Sequence, residues 1–317
     1  MAVNTKAIKR RIKSVGNTKK ITKAMEMVSA AKMRKAVDAA VKTRAYAALA
    51  WNLLVNLSKT QKVSLPLLEV RPVKNILIIL ITSNKGFCGS FNSNIIKKTA
   101  EQLLNPSNLA KQRIKEVNAE PSTEINVDIL GIGKKGSEFI RRLDKNLIAA
   151  FTDLPDTPCL NDVLPVSQMI IDAYKEKKYD KVVVAYTDFK SAITQIAKLR
   201  QVLPISEFDL EKMITDLGKN LPAGSTKPEM ELNEYLFEPD RDEILSVILP
   251  RLVETQIYQA VLESSASEQS ARMMAMRNAS DAAEDMIKDL SLAFNKARQA
   301  GITQEIAEIS GGAAALG

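Results

Sequence analysis

The stretch MRNASDAAEDMIKDLSLAFNKARQA, residues 276–300, decides the fold. Its apolar and small residues alternate spacings of three and four, at Met276, Ala279, Ala283, Met286, Leu290, Ala293, Ala297 and Ala300. This alternation is the heptad pattern of a helix that packs lengthwise along a second helix. Because neither Gly nor Pro interrupts the chain between Pro250 and Gly301, the pattern predicts one long helix.

A second uninterrupted stretch lies between Gly16 and Pro66. The same spacing recurs in it at Met33, Ala36, Ala40, Thr43, Ala47, Ala50, Leu54 and Leu57. A helix of about 50 residues reaches about 75 Å, and it persists in water only where a partner covers its apolar stripe. Segments 1–65 and 241–317 therefore predict a slim antiparallel coiled coil of N- and C-terminal helices, although periodicity alone equally allows the core of an ordinary helical bundle.

The region between these segments, 66–240, has a different pattern. All twelve prolines lie from Pro66 to Pro250. Buried-strand runs such as KNILIILITS (74–83) and KVVVAYTDF (181–189) alternate with helical patterns, and a further strand is expected in SAITQIAKLRQVLPI (191–205). The fold class is thus α/β, with a central Rossmann-like domain on a parallel sheet. Residues 207–240 are acidic and rich in turn residues, which is typical of a solvated insertion.

One motif within this domain suggests a cofactor. GIGKKG, residues 131–136, follows a predicted strand, precedes a predicted helix and has Asp153 downstream, as in dinucleotide-binding units. Against this interpretation, the unit is second rather than first in the sheet. A second glycine turn, SNKGFCG (83–89), lacks the GK[ST] of a phosphate-binding loop, so it favours a structural turn. A dinucleotide-dependent enzyme stays open as one alternative.

Composition removes much other chemistry. The chain contains no histidine, the commonest general base and zinc ligand. Cys88 and Cys159 have no metal-type spacing and indicate reduced thiols in a cytoplasmic protein. We therefore predict no catalytic residue, no cofactor and no metal. No apolar run reaches the roughly 20 residues that cross a bilayer, which predicts no direct membrane insertion, and the basic N-terminus lacks a signal core, so we expect it to be mature protein.

The net charge of +8 is uneven. Residues 1–35 hold eleven Lys and Arg residues against one acid, Glu26, so the first helix is a cationic rod. Such a face is either merely solvated or meets an acidic partner. Nucleic-acid binders usually add aromatic stacking, and residues 1–45 contain no Phe, Tyr or Trp. An acidic protein surface is favoured, with a basic coiled-coil protein that binds nucleic acid as the other alternative.

Four segments closely resemble one known family. They are NTKKITKAMEMVSAAKMRKA (17–36), SNKGFCGSFNSNI (83–95), SEQSARMMAMRNASDAAEDM (267–286) and KARQAGITQEIAEISGGAAAL (296–316). The family is the gamma subunit of rotary, F-type ATP synthases, of bacterial type. The resemblance implies a central-stalk rotor subunit of the proton-translocating complex. Such a subunit is non-catalytic, couples ion-driven rotation to ATP synthesis on the beta subunits and regulates that activity.

The resemblance also implies partners, location and contact residues. The partners are the alpha and beta subunits of the catalytic ring, the epsilon subunit and the membrane ring of c subunits, with no nucleic acid. The location is peripheral, on the cytoplasmic side of the bacterial inner membrane. Residues that match segments contacting the ring are Lys20, Lys23, Met25, Lys32, Arg34 and Lys35 in the first helix, and Arg298, Gln299, Thr303 and Glu305 near the C-terminus. Packing of Met25 against the partner helix is its alternative role. The extra lengths at 105–124 and 207–240 carry no implied function.

Overall fold

The computed structural model describes residues 5–58, 66–110, 125–205 and 241–316. Two long helices dominate the described chain: α1, Thr5–Ser58, has 54 residues, and α6, Arg241–Leu316, has 76. Both run through residues that usually break helices, since Gly16 lies inside α1, and Pro250 and Gly301 lie inside α6. The insertion predicted at 207–240 and most of the extra length at 105–124 lie outside the described residues.

In the described part of the chain, five strands form one sheet. They are β1 (Asn75–Ile81), β2 (Asn126–Ile132), β3 (Leu147–Phe151), β4 (Lys181–Phe189) and β5 (Gln195–Leu203), in the order β3-β2-β1-β4-β5. β1 to β4 are parallel, whereas β5 is antiparallel to β4. A parallel return needs a crossover of a dozen or more residues. The connection between β4 and β5 is too short for a crossover, so the two strands form a hairpin. β5 is the further strand that the sequence predicted.

Helices cover both faces of the sheet, as a parallel sheet requires. On one face, Ile78 and Leu80 of β1 pack with residues of α2 (Phe91–Leu104), α3 (Pro106–Ala110) and α4 (Lys134–Arg142). On the other face, Leu77 and Ile79 pack with α5 (Leu160–Lys175) and with the first part of α6. That part of α6 buries Leu245, Leu249, Leu252, Val253, Ile257, Ala260 and Val261. These layers lie in a compact unit of residues 31–271.

The other compact unit consists of residues 1–30 and 272–317. Here the Lys19 ammonium donates to Glu284 Oε2 at 2.9 Å, and the hydroxyls of Thr22 and Ser280 are 2.7 Å apart. Moving three residues forward along α1 moves the contact four residues back along α6, so the helices are antiparallel. The predicted antiparallel coiled coil is confirmed.

The seam of this pair differs from its predicted phase in α6. The inward positions are Met276, Ser280, Ala283, Ile287, Leu290, Phe294 and Ala297. Met286, Ala293 and Ala300, predicted to be inward, are exposed, and those predictions are wrong. In α6 small residues occur at the positions of both possible seams, so the periodicity did not decide between them. A search for apolar residues alone selected Ala279 and left out the neighbouring Ser280. Its hydroxyl is buried because it has hydrogen-bond partners across and along the seam.

The stripe of α1 also begins earlier than predicted. Covered or partly covered positions occur at Ile8, Ile12, Val15, Lys19, Thr22, Glu26 and Ser29 in this unit. The predicted positions Met33, Ala36, Ala40 and Thr43 continue the same spacing in the unit of residues 31–271, where Ala36 and Ala40 are buried. The side chains of Ala47, Ala50, Leu54 and Leu57 lie outside the described part of the chain. Because Lys19, Thr22, Glu26 and Ser29 of this stripe are polar, a search for apolar residues at heptad spacing did not find the N-terminal part of the seam.

Candidate partner-binding surfaces on the long helices

Three of the predicted contact residues lie on the first helix within the helical pair. Lys20 and Lys23 are exposed, and the Lys23 ammonium pairs with Glu26 at 2.9 Å on its own helix. Met25 is half-buried, and its contact with the ring and its packing against the partner helix both stay predictions. The two lysines present positive charge to solvent.

An apolar stripe that the sequence reasoning missed runs beside these lysines. Ile21 is 61% exposed, Met27 61% and Val28 53%, and Ala24 between them is also exposed. Large apolar side chains grouped on one exposed helix face are typical of an interaction surface. The sequence did contain a sign of this stripe, because segment 17–36 has a second set of apolar residues at helical spacing besides those of its heptad seam. We call Lys20, Ile21, Lys23, Ala24, Met27 and Val28 the α1 outer face.

The remaining predicted residues of the first helix lie in the unit of residues 31–271. Arg34 and Lys35 are exposed. Lys32 is partly exposed, and its ammonium forms an ion pair with Asp156 in the loop after β3. Lys23 and Lys32 are thus both paired within the chain, and the contact of each with the ring stays a prediction.

The four C-terminal residues lie where α6 runs beyond α1. The antiparallel register places Thr5 opposite Ala297, and every residue from 298 to 313 is exposed. Arg298, Gln299 and Glu305 project from this single helix, and the Thr303 hydroxyl donates to the Gln299 carbonyl at 3.0 Å. We call residues 298–313 the α6 tip.

The α6 tip also carries an apolar stripe that the sequence reasoning missed. Ile302 is 47% exposed, Ile306 62% and Ile309 74%, and Ala313 continues the stripe with the same helical spacing. An unpaired helix with isoleucines on one face buries them only when a partner surrounds it. The tip thus combines an apolar stripe with hydrogen-bonding groups.

Two exposed groups of α6, Glu284 and Lys288, have shifted pKa values. The hydrogen bond and charge of Lys19, together with Lys288, hold the pKa of Glu284 below its ordinary value. Asp285 and Glu284 in turn raise the pKa of Lys288. These groups are exposed, and only the Lys19–Glu284 pair joins the two helices. None of them lies in a cleft where a shifted pKa would point to catalysis.

The glycine motif of α4 is used for packing and leaves no phosphate cradle. A Cβ on Gly133 would lie 2.1 Å from the Thr82 carbonyl oxygen, and one on Gly136 would lie 2.8 Å from the Thr82 side chain. The Lys134 amide donates to Asn84 Oδ1, the Lys135 amide to the Ser83 carbonyl, and the Gly136 amide to Thr82 Oγ1. A phosphate binds such a helix start through free amides, and these three are occupied.

The usual ligand crevice of the fold is also occupied. In open α/β sheets ligands bind beyond the carboxyl ends of the strands where the strand order reverses, here between β1 and β4. Ser267 of α6 reaches this edge and donates to the Thr187 carbonyl at 3.1 Å. The cavity left beside Thr82, Gly133 and Ser264 measures about 50 Å³. Pockets for small ligands are about 300–1,000 Å³, so α6 fills the space that a dinucleotide would need.

Metal and membrane chemistry find no further support among the described residues. Within 5–58, 66–110, 125–205 and 241–316, no group of three or more Cys, Asp or Glu residues is arranged to hold a metal ion. Cys88 is buried and Cys159 exposed, and neither forms a disulfide. Among the described helices, none combines the length and apolarity of a membrane span.

Fold and surfaces together define a class: an α/β domain whose ligand crevice is filled, with an antiparallel helical pair that offers cationic and apolar faces to partners. Comparison with known proteins gives the family. A family model described as ATP synthase matches residues 4–316. The ATP synthase gamma chain of Dehalococcoides mccartyi is 40% identical over 316 residues, covering 99% of each chain, and that of Roseiflexus castenholzii is 39% identical over 317 residues, covering 99% of this chain and 98% of the relative. The chain therefore belongs to the ATP synthase gamma chain family.

Solved structures agree with this membership. The central stalk and c-ring structure of the Tetrahymena thermophila mitochondrial ATP synthase contains a chain 25% identical to this one, with a TM-score of 0.55, covering 82% of this chain and 99% of that one. A chain in the rotor of the Euglena gracilis enzyme, at 18% identity and a TM-score of 0.58 over 94% of this chain and 98% of that one, shares the fold. The predicted central-stalk role and non-catalytic place in the complex are confirmed by the family. Neither the dinucleotide enzyme nor the nucleic-acid-binding protein finds support.

Proposed function

We propose that the helical pair of this chain turns inside a ring of alternating alpha and beta subunits, with catalytic sites on the beta subunits. Rotation driven by ions would then be converted into ATP synthesis, and hydrolysis would reverse it. The observation that carries this proposal is the α1 outer face, where exposed lysines flank exposed apolar side chains on a slim helical pair. A ligand shifts a conformational equilibrium only through differential contacts, and this one-sided face supplies such contacts to successive catalytic subunits.

The α1 outer face is suited to an acidic partner with an apolar floor. Lys20 and Lys23 would meet carboxylates of the beta subunits, while Ile21 and Val28 would lie against apolar side chains. Met25 bridges the seam and this face. Contacts between exposed charges weaken over a Debye length of about 8 Å at physiological salt. The lysine contribution should therefore fall with salt, and the apolar contribution should not.

The α6 tip is the second contact region. Its isoleucine stripe would be enclosed by the ring, and Arg298, Gln299, Thr303 and Glu305 would hydrogen-bond to the ring around it. Arg34 and Lys35, exposed in the other unit, would extend the cationic contact with the beta subunits. Lys32 would contribute to the same contact, and its ammonium also pairs with Asp156.

The remaining assignments concern place and neighbours. Segments 1–65 and 241–317 serve as the shaft, and 66–240 as the domain that meets the epsilon subunit and the ring of c subunits. With its partners the chain would be a peripheral component on the cytoplasmic side of the bacterial inner membrane, where the complex carries protons and regulates ATP turnover. These assignments rest on the family and on the partner-binding surfaces described above.

Co-expression with the cognate alpha and beta subunits tests the proposal directly. The chain should co-purify at one copy per ring and raise ATP hydrolysis. Reversing two charges, Lys20→Glu with Lys23→Glu, should lower the activated rate at low salt. The matched control is Lys97→Glu with Lys98→Glu, the same charge change at exposed positions of α2. A stable ring that excludes the wild-type chain would overturn the proposal, and equal losses from both pairs would remove the α1 outer face from it.

The α6 tip and Met25 allow two further tests in the same assembly. A chain ending at Ala297 retains the helical seam, so it should fold as wild type yet transmit less torque. Met25→Lys should disturb coupling by adding charge, whereas Met25→Leu nearly conserves volume and should be mild. Undiminished ATP synthesis by the shortened chain would exclude the tip as a contact, and equal effects of the two Met25 variants would show that packing volume dominates there.

A further inference from the structure

A serine-rich run in α6 makes contacts that serines in helices seldom make. Segment 263–270, ESSASEQS, places three hydroxyls against carbonyls of three other segments. Ser265 donates to Asp156 at 2.7 Å, Ser267 to Thr187 at 3.1 Å, and Ser270 to Ala192 at 2.6 Å. Serine hydroxyls in a helix usually bond back to their own helix, as Ser291 does here. The run instead ties α6 to the loop after β3, the end of β4 and the β4–β5 turn.

Asp156 extends the same attachment to the other long helix. Its carboxylate receives the ammonium of Lys32 from α1 and lies 3.7 Å from that of Lys85 in the β1–α2 loop. Its carbonyl accepts the Ser265 hydroxyl. One residue therefore contacts α1, α6 and the connection that follows β1. All these residues belong to the unit of residues 31–271.

Directional contacts matter because of the mechanical demand on a shaft. Burial of an apolar face sets which side of a helix lies on the sheet, but it is non-directional and does not hold the helix to particular partner atoms. Hydrogen bonds weaken steeply away from their preferred angle, so they resist rotation of the helix about its axis. The serine contacts fix α6 at three carbonyls, and the Lys32 ion pair fixes α1 at the same loop. We call these four contacts the collar.

We propose that the collar transmits torque between the sheet domain and the two long helices, with Asp156 as its central positioning residue. This inference rests on the proposed rotor function and adds to it the joint through which load passes. It also gives Lys32 a role other than contact with the catalytic ring. The apolar core beneath the collar, with Val261 and Ile257 buried, sets which face of α6 lies on the sheet.

The test uses the complete ATP synthase in membrane vesicles, with protons pumped per ATP hydrolysed as the readout. Asp156→Asn removes the ion pairs, and a triple change of Ser265, Ser267 and Ser270 to Ala removes the hydroxyl contacts. Each should lower the pumping ratio about twofold or more, because changes along a coupling path shift coupling by about 0.5–2 kcal/mol. The hydrolysis rate should be retained. A purely structural defect would instead lower assembly and hydrolysis together.

Matched controls separate the collar from general perturbation. Glu69→Gln removes an exposed ion pair with Lys177 elsewhere in the same unit, and Ser246→Ala removes a hydroxyl that bonds within α6. Both should keep the wild-type ratio. Exchanging the charges, Lys32→Asp with Asp156→Lys, should recover part of the ratio lost in Asp156→Asn. Single-molecule measurement of torsional stiffness should show a softer joint in the collar variants.

The outcomes distinguish this inference from the proposed function. If wild-type vesicles do not pump protons, the rotor proposal itself fails. If wild type pumps and both collar variants match Glu69→Gln in ratio and stiffness, the collar inference is wrong. Should Asp156→Asn fail to assemble, the serine triple variant and Ser246→Ala decide alone, since those changes remove only hydroxyls.

Discussion

Replacing Gly133 by alanine should destabilise the sheet domain severely. The backbone at Gly133 has φ 95° and ψ 152°, a conformation that costs a residue with a Cβ about 1–3 kcal/mol. The new Cβ would also lie 2.1 Å from the Thr82 carbonyl oxygen, so the end of β1 must move. That movement would break or weaken two hydrogen bonds. The Thr82 amide donates one to the Ile132 carbonyl, and the Gly136 amide donates the other to the Thr82 hydroxyl. Each buried group left unpaired costs about 1–3 kcal/mol.

The combined loss is about 3–9 kcal/mol, a large share of the roughly 5–15 kcal/mol that stabilises a typical domain. Thermal unfolding followed by circular dichroism measures it, with two glycine variants as a graded scale. Gly86→Ala meets nothing within 4 Å and should be neutral. Gly89→Ala also meets nothing but has φ 54°, so it should cost about 1–2 kcal/mol. If the Gly133→Ala variant has the same melting temperature as the wild type, the packing argument is wrong. If the variant stays stable but loses binding of a dinucleotide, the cofactor interpretation is restored.

Two further predictions concern the helical pair. Ile287→Ala should lower the free energy of unfolding by about 1–2 kcal/mol, because Ile→Ala in a full core costs about 2–5 kcal/mol and this side chain is only half-buried. Met286→Ala should change it by no more than about 0.5 kcal/mol. If thermal melts rank the two variants the other way, the seam has the phase predicted from the sequence. Lys19 lowers the pKa of Glu284, so the stabilisation from this pair is present above pH 4.5 and is lost as pH falls through the lowered value. Glu284→Gln should therefore melt slightly below wild type at pH 7 and together with it in strong acid, and a gap that persists in acid would exclude the ion pair as its source.

Local patterns were enough to predict the long helices and the parallel sheet. Helix breakers defined the terminal segments, yet α6 continues through Pro250, although proline inside a helix costs about 3 kcal/mol. Leu249 and Leu252 on either side are buried in the sheet domain. Burial of that apolar face outweighs the proline, and no local pattern reports how much partner surface a helix will meet. Tertiary packing therefore decided where the helix begins.

The seam and the site surfaces show a different limit. Inward hydroxyls such as Thr22 and Ser280 are acceptable only because each finds a partner, which depends on the other helix. The pairing of Lys32 with Asp156 joins residues far apart in the chain, so no local pattern could predict it, and the contact of Lys32 with the ring stays a prediction. Exposed stripes were visible in principle, since Ile302, Ile306 and Ile309 keep helical spacing without any residue to cover them.

The slim seam and the collar lie in different parts of the same helices, and each would serve the proposed shaft in a different way. Alanine, serine and threonine at part of the seam give up apolar area worth about 25 cal/mol per Å², so the helical pair stays slim there but gains less cohesion for its length. Cohesion must then come from elsewhere along the same helices. In α6 it comes from the stretch with Leu245 to Val261 buried in the sheet domain, and the serines that follow immediately convert that burial into a fixed orientation. In the proposed rotor the shaft would be slender at its partner contacts and firmly held where load enters, and α6 would carry these two functions in successive segments.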